Sequence, residues 1–227
     1  MPENNDHTRV TTRGHSPEDS GKTLKTRLHI ERRMGRNVEG ESITILFGTQ
    51  MLVGREKSCE IPILEDRISR KHALLKIDQD AVKLVDLGST NGTTRNNEPV
   101  TEEIIVVGGD QICFGQAQTF ETRIVERDGV ITSVRLASGP DAYLLSPREF
   151  IIGFAGPEGD DVDLKIYDPS ILPRHAYIEF FAGQIFIVSL DPAQPVIVNA
   201  NPVRELEIRN NYLLELGNTM LRFEKVN

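Results

Sequence analysis

The sequence predicts an all-β protein: two tandem β-sandwiches behind a disordered N-terminal tail. Three observations carry this. Apolar residues come in short, strand-length windows punctuated by Gly, Asn, Asp and Pro. No window of a dozen residues shows an apolar stripe at helical spacing. Landmarks of the first half return in the second at a constant offset, the mark of an internal duplication.

The elements follow in order. Residues 1-22 are polar and rich in Asn, Asp, Ser, Thr, Gly and Pro, so they are read as a disordered tail. Strands are predicted at 26–33, 41–47, 50–54, 61–64, 73–77, 82–87, 104–107, 111–114 and 119–125. In the second half they fall at 130–136, 142–145, 150–153, 163–167, 176–181, 185–190, 196–198, 212–216 and 220–223. His72-Ala73 matches His175-Ala176 at an offset of 103, and so does Asn96-x-x-Pro99-Val100 with Asn199-x-x-Pro202-Val203. Arg127-Asp128-Gly129 reads as a turn between units. The expected domains are therefore 1-22, 23-127 and 128-227.

Composition narrows the function. Hydrophobic residues make up 38% of the 227, enough for packed cores. No apolar run is long enough for a membrane span, and the first residues contain no signal-peptide core. Two cysteines, Cys59 and Cys113, fit no zinc motif and suit a reducing cytosol as unpaired thiols. The net charge is -8, which disfavours nucleic acid as a partner. Most of the acidic excess lies in residues 128–227, while residues 22–127 balance to zero, so an anion site belongs in the middle section.

Four pieces of that section carry chemistry: Gly54-Arg55, Ser69-Arg70-Lys71-His72, the run from Asp86 through Ser89-Thr90-Asn91-Gly92 to Thr93, and Asn96 to Val100. Each follows or joins a predicted strand, and sandwich loops gather at the ends. Guanidinium binds phosphate oxygens in a bidentate, charge-assisted manner, and a serine hydroxyl donates to a third oxygen. An asparagine amide both donates and accepts, which suits a peptide backbone. The set fits a phosphate monoester on a peptide. The basic cluster Arg32, Arg33 and Arg36 reads as solvated surface, and Gly108-Gly109-Asp110 as a turn.

In this order and on this strand pattern, GR, SRKH and STNGT resemble the forkhead-associated (FHA) domain family over about residues 25–125. The resemblance implies FHA-type sandwiches that bind phosphothreonine peptides through loops at one end. It implies that Arg55 and Ser69 hold the phosphate, that Ser89 lies in the binding run, and that Arg70 contacts peptide or phosphate. Thr90 would help with the phosphate, and Asn91 would hold the peptide backbone. Gly54, His72 and Gly92 would shape the loops. The expected function is a phosphothreonine-dependent adaptor in Ser/Thr-kinase signalling. Its partners would be phosphothreonine proteins, the kinases or their substrates. It would have no catalysis and no cofactor, and a cytoplasmic, bacterial setting (nuclear if eukaryotic).

The second half resembles the family weakly. Gly153 and His175 remain, but Phe154, Leu172, Pro173, Ala193 and Gln194 stand where Arg55, Ser69, Arg70, Thr90 and Asn91 do in the first. It reads as a degenerate module with an acidic insertion around Glu158-Gly159-Asp160-Asp161. An alternative makes this module a structural scaffold, with Phe154, Phe180 and Phe181 forming an apolar patch. A hydrolase triad of Ser69, His72 and Asp86 is disfavoured, because the second half keeps His175 without the other two. Thr8, Thr11 and Thr12 are possible phosphorylation sites. The resemblance to bacterial FHA proteins implies that such a phosphorylated tail can fold onto its own domain.

Overall fold

The computed structural model describes residues 24–34, 37–78, 80–139, 141–156 and 161–225, with backbone alone for 27–41 and 225. Thr8, Thr11 and Thr12 lie outside the described residues, as do residues 157–160 of the acidic insertion. The described chain is all strand and loop, as the alternation of apolar and polar residues requires. It begins with a hairpin of β1 (Leu24–Met34) and β2 (Asn37–Phe47). There follow β3 (Gln50–Gly54), β4 (Ile61–Pro62), β5 (Ala73–Ile77), β6 (Val82–Asp86), β7 (Thr93–Arg95), β8 (Glu98–Pro99), β9 (Ile104–Val106), β10 (Gln111–Phe114) and β11 (Gln118–Arg127).

The second half repeats that order. A hairpin of β12 (Val130–Ser138) and β13 (Asp141–Ser146) leads into β14 (Glu149–Phe154), β15 (Leu164–Ile166), β16 (Ala176–Phe181), β17 (Gln184–Ser189) and β18 (Val196–Val198). Then come β19 (Asn201–Val203), β20 (Glu205–Ile208), β21 (Leu213–Leu216) and β22 (Thr219–Lys225). The repeated Asn96 and Asn199 each open a two-residue turn with positive φ at both positions, Asn96-Asn97 and Asn199-Ala200. Such turns match the twist of paired strands, and asparagine tolerates them.

The sheets do not follow the chain's halves. Two five-stranded sheets, β4-β3-β5-β6-β9 and β15-β14-β16-β17-β20, each stay within one half. A single twelve-stranded sheet, β19-β18-β21-β22-β1-β2-β13-β12-β11-β10-β7-β8, serves both. In it β11 pairs with β12, β22 pairs with β1, and β2 lies parallel to β13. Each sandwich therefore completes its long sheet with the hairpin that precedes the other. Ile131, Val134, Leu136 and Leu145 pack with Val53, Leu75, Leu84 and Phe114 in the first core. Ile43, Ile45 and Phe47 pack with Phe150, Ile178, Leu214 and Phe223 in the second.

The long sheet crosses the expected boundary between 23-127 and 128-227. The physical reason is the turn between β11 and β12. Asp128 (φ 53°) and Gly129 (φ 74°) make a tight two-residue reversal, which pins β12 beside β11. At the seam both faces of a strand are buried. Leu46 and Leu145 enter the first core, while the preceding Ile45 and Leu144 enter the second. Because side chains alternate across a strand, the two small sheets cover opposite faces of the long one.

A buried carboxylate ties the sandwiches together. Asp163, fully buried, accepts from Arg127 Nη1 at 2.6 Å, Ile151 N–H at 2.7 Å, and the Thr132 and Ser133 hydroxyls. Arg123 Nη1 donates to the Asp163 carbonyl at 3.0 Å, and Arg127 Nη1 to the Asp161 carbonyl at 2.8 Å. The described end of the acidic insertion thus docks on β11 and β12.

Residues 48–148 hold the first core except for Leu46 of β2, so that fragment should give a dispersed amide NMR spectrum by itself. Residues 128–227 lack β1 and β2, and should give a collapsed spectrum that recovers when residues 24–47 are supplied.

His175 adds a pH dependence. Its ring is buried, and among the described residues Nε2 has no hydrogen-bond partner. Burial pushes its pKa below the usual 6.5, against a smaller upward pull from Asp191. The unfolded chain therefore binds more protons than the folded one below about pH 6.5. Stability should be full above that value and fall as pH drops below it. Thermal unfolding at pH 7.5 and 5.5 should show a lower Tm at pH 5.5, with a smaller drop in His175→Gln.

Candidate functional site

The loops after β3, β4 and β6 meet at one end of the first sandwich. They enclose an open cleft of about 700 Å3. Arg55, Ser69, Arg70, Thr90 and Asn91 line it together. Glu56, Asp66, Arg67, Ile68 and Lys71 complete the lining.

The backbone builds this arrangement first. Arg55 N–H donates to the Ser69 carbonyl at 2.9 Å, and Glu56 N–H to the Arg70 carbonyl at 3.2 Å. The chains approach so closely at Gly54 that a Cβ there would stand 2.2 Å from the Arg70 carbonyl oxygen. Only glycine fits. Arg55 and Ser69 are thus side by side although 14 positions apart in sequence.

His72 fixes the second contact. Its ring is fully buried, edge-on to Phe114. Nδ1 accepts the Ser69 N–H at 3.1 Å, so the proton sits on Nε2, which donates to the Gly92 carbonyl at 3.1 Å. The imidazole therefore joins the Ser69 loop to the Gly92 loop.

Asp86 shapes the third piece. It accepts from Ser89 N–H and Ser89 Oγ, each at 2.7 Å, and from Thr93 Oγ1 at 2.6 Å. Burial pushes its carboxyl upward, but the donors from Thr93 and Ser89 outweigh this and hold it below the usual carboxylate value. Ser89 is thereby spent on the loop and does not line the cleft. Thr90 N–H donates to Ser69 Oγ at 3.0 Å. Asn91 Nδ2 donates to the Arg67 carbonyl at 2.8 Å.

A Ser69–His72–Asp86 triad does not form. The imidazole meets the Ser69 backbone N–H, not its hydroxyl, and Nε2 faces a carbonyl. The reading from sequence missed Glu56, Asp66, Arg67 and Lys71. Asp66 Oδ1 lies 3.0 Å from Arg55 Nη1. For Glu56, Asp66 and Arg67 the only signal was charge density beside the recognised pieces, while Lys71 stood without an assigned role inside one of them, Ser69-Arg70-Lys71-His72.

The second sandwich repeats the scaffold. Phe154 N–H donates to the Leu172 carbonyl, His175 N–H to the Ile152 carbonyl, and Leu190 N–H to the His175 carbonyl. These correspond to Arg55 to Ser69, His72 to Val53, and Leu87 to His72. A Cβ at Gly153 would stand 1.8 Å from the Pro173 carbonyl oxygen. Phe154 and Phe180 are half-buried against the second core, and Phe181 is also half-buried. None of the three is among the exposed large hydrophobic residues.

Comparison with known proteins agrees with this geometry. The model of the FHA domain family matches residues 51–115 and 150–217, together more than half of the chain. The chain is 36% identical over 67 residues to the FHA domain-containing protein FhaA of Mycobacterium tuberculosis, covering 30% of this chain and 12% of FhaA. It is 33% identical over 63 residues to the glycogen accumulation regulator GarA of the same species, covering 28% of this chain and 38% of GarA. It therefore spans well under two thirds of these relatives. A crystal structure of the FhaA FHA domain complexed with the intracellular domain of Rv3910 is 30% identical, with a TM-score of 0.29, covering 39% of this chain and 91% of that one. Two matched segments on two copies of one scaffold place the chain in the FHA domain family, with the domain present twice.

Proposed function

We propose that this protein is a phosphothreonine-peptide-binding adaptor in Ser/Thr-kinase signalling, and that its binding site is the cleft of the first sandwich. The observation that supports this is the meeting of Arg55, Ser69 and Thr90 in one open cleft on a hydrogen-bonded frame. The Arg55 guanidinium supplies two directed donors for phosphate oxygens, and the Ser69 and Thr90 hydroxyls supply more. Asn91 has its amide N–H on the Arg67 carbonyl, which leaves its oxygen to accept from a peptide N–H beside the phosphothreonine. Arg70 contacts the peptide from the cleft wall. The role is binding without catalysis or cofactor, and the setting a bacterial cytoplasm.

The second sandwich keeps the frame and substitutes each proposed contact, from Phe154 to Gln194, so we assign it no phosphate binding. The scaffold alternative is weakened by the packing of Phe154 and Phe180 into the second core. Partners are phosphothreonine proteins, with the tail threonines Thr8, Thr11 and Thr12 as candidates in cis.

Hydrogen bonds to a charged group are worth about 1.5–3 kcal/mol. Arg55→Ala should therefore weaken a phosphothreonine peptide by roughly ten- to a few hundred-fold in calorimetric titration, and Ser69→Ala by less. Matched unphosphorylated and phosphoserine peptides should bind far more weakly. Binding that ignores the phosphate, or survives Arg55→Ala unchanged, refutes the assignment. After treatment with a Ser/Thr kinase, the native protein should lose affinity for the external peptide, and a Thr8→Ala, Thr11→Ala, Thr12→Ala variant should not.

A further inference from the structure

We infer, resting on the phosphothreonine reading above, that Asp66 is a built-in competitor for the phosphate. Its carboxylate holds the Arg55 guanidinium in the free protein, and a phosphothreonine must displace it. Asp66 thereby sets the affinity and the association rate of the cleft.

The Arg55 guanidinium already has an acceptor. Arg55 Nη1 donates to Asp66 Oδ1 at 3.0 Å. Carboxylate and phosphate oxygens accept from the same guanidinium fork, so one excludes the other at that nitrogen. Glu56, the other acidic residue lining the cleft, accepts from Ser58 Oγ at 3.3 Å instead. Both members of the pair stand on held backbone. Ile63 N–H donates to the Gly54 carbonyl at 2.9 Å and Ile68 N–H to the Glu65 carbonyl at 3.0 Å, which fixes the chain on either side of Asp66. Ile68 is anchored in the first core, and Asn91 Nδ2 holds the Arg67 carbonyl. Arg55 N–H is itself bound to the Ser69 carbonyl. A carboxylate tethered in this way has a high effective concentration at the guanidinium.

The contact is weak enough to be displaced. The Asp66 side chain is fully exposed and that of Arg55 is 43% exposed. An exposed pair of this kind shifts an equilibrium by no more than about fivefold. A phosphate monoester brings about -1.5 to -2 charges and three acceptor oxygens, so it wins the guanidinium from a single carboxylate. After displacement the carboxylate stays on its held loop at the cleft, where its charge repels the bound phosphate. Competition and repulsion both weaken binding, and both vanish with the carboxylate.

The test uses the full chain and a labelled phosphothreonine peptide with neutral flanks, with the matched threonine peptide as control. In fluorescence anisotropy at about 50 mM salt, Asp66→Asn should bind the phosphothreonine peptide roughly three- to tenfold tighter than the native protein, and the gain should shrink at about 500 mM. Stopped-flow mixing should place most of the gain in the association rate, because the competitor acts in the free protein. Glu65→Gln removes the same charge from a neighbouring exposed residue outside the cleft lining, and should change affinity by less than about twofold. In the Arg55→Ala background, Asp66→Asn should likewise change affinity by less than about twofold. The Asp66 side chain is wholly in solvent, so its replacement spares the fold, and a gain of affinity does not come from misfolded protein. Unchanged or weaker binding by Asp66→Asn, an equal gain from Glu65→Gln, or a gain that survives in full with Arg55→Ala overturns the inference while the phosphothreonine assignment stands. If the native protein and Asp66→Asn alike fail to distinguish phosphothreonine from threonine, both are overturned.

Discussion

The turn at Asp128-Gly129 decides how this chain is partitioned. Both residues hold positive φ, and the reversal is too tight for β12 to go anywhere but beside β11. Once β12 and β13 complete the first long sheet, β1 and β2 must find another edge, and β22 offers it. The parallel contact of β2 with β13 then closes a continuous sheet with no free edge at its centre. Asp163 is buried as a result, and the arginines of β11 become its partners. Removing either side would leave an uncompensated charge or donor in the seam, a far larger penalty than losing a surface pair.

The candidate site depends on a smaller set of contacts of the same kind. His72 and Asp86 are buried polar groups whose hydrogen bonds run to loop backbone and loop hydroxyls. They leave Arg55, Ser69 and Thr90 at the cleft and keep the loops from collapsing into it. The second sandwich shows what happens without the full set. His175 keeps a contact to Leu172 N–H, at 3.4 Å, but Pro195 stands at the position of Gly92 and Nε2 has no partner among the described residues. Ser189 replaces Asp86 and turns its hydroxyl to the Val203 carbonyl. The frame survives because its backbone bonds do not depend on those side chains.

Much of this was legible in the sequence because it is local or repeated. The strands show as period-two alternation, and the glycines and histidines stand at fixed offsets because close backbone approach and a buried imidazole are needed in both copies. Arg55, Ser69 and Thr90 are not repeated in the second copy, and they stand out only through the GR, SRKH and STNGT motifs. The exchange of hairpins was not legible. Alternation says which side chains share a face, not which sheet the strand joins, and hairpins that occupy equivalent positions in a duplicated fold suit either copy. Short pairings such as β7 with β8 and the strand β20 have too few residues for a pattern. The place of Ser89 in the binding run says nothing of its rotamer, and its hydroxyl donates to the Asp86 carboxylate.

The exchange also changes the geometry available to the tail. Leu24 is half-buried against the second core, opposite Phe47 in the β1–β2 ladder. The tail therefore departs from the sandwich that lacks the proposed phosphate contacts. Thr12 is 12 residues before Leu24, which allows a span of about 40 Å when extended. A tail threonine bound in the first cleft would join the chain ahead of β1 to the loops after β3, β4 and β6. Such a contact would link the two cores a third time, after the exchanged hairpins and Asp163, and its occupancy would depend on the seam being formed.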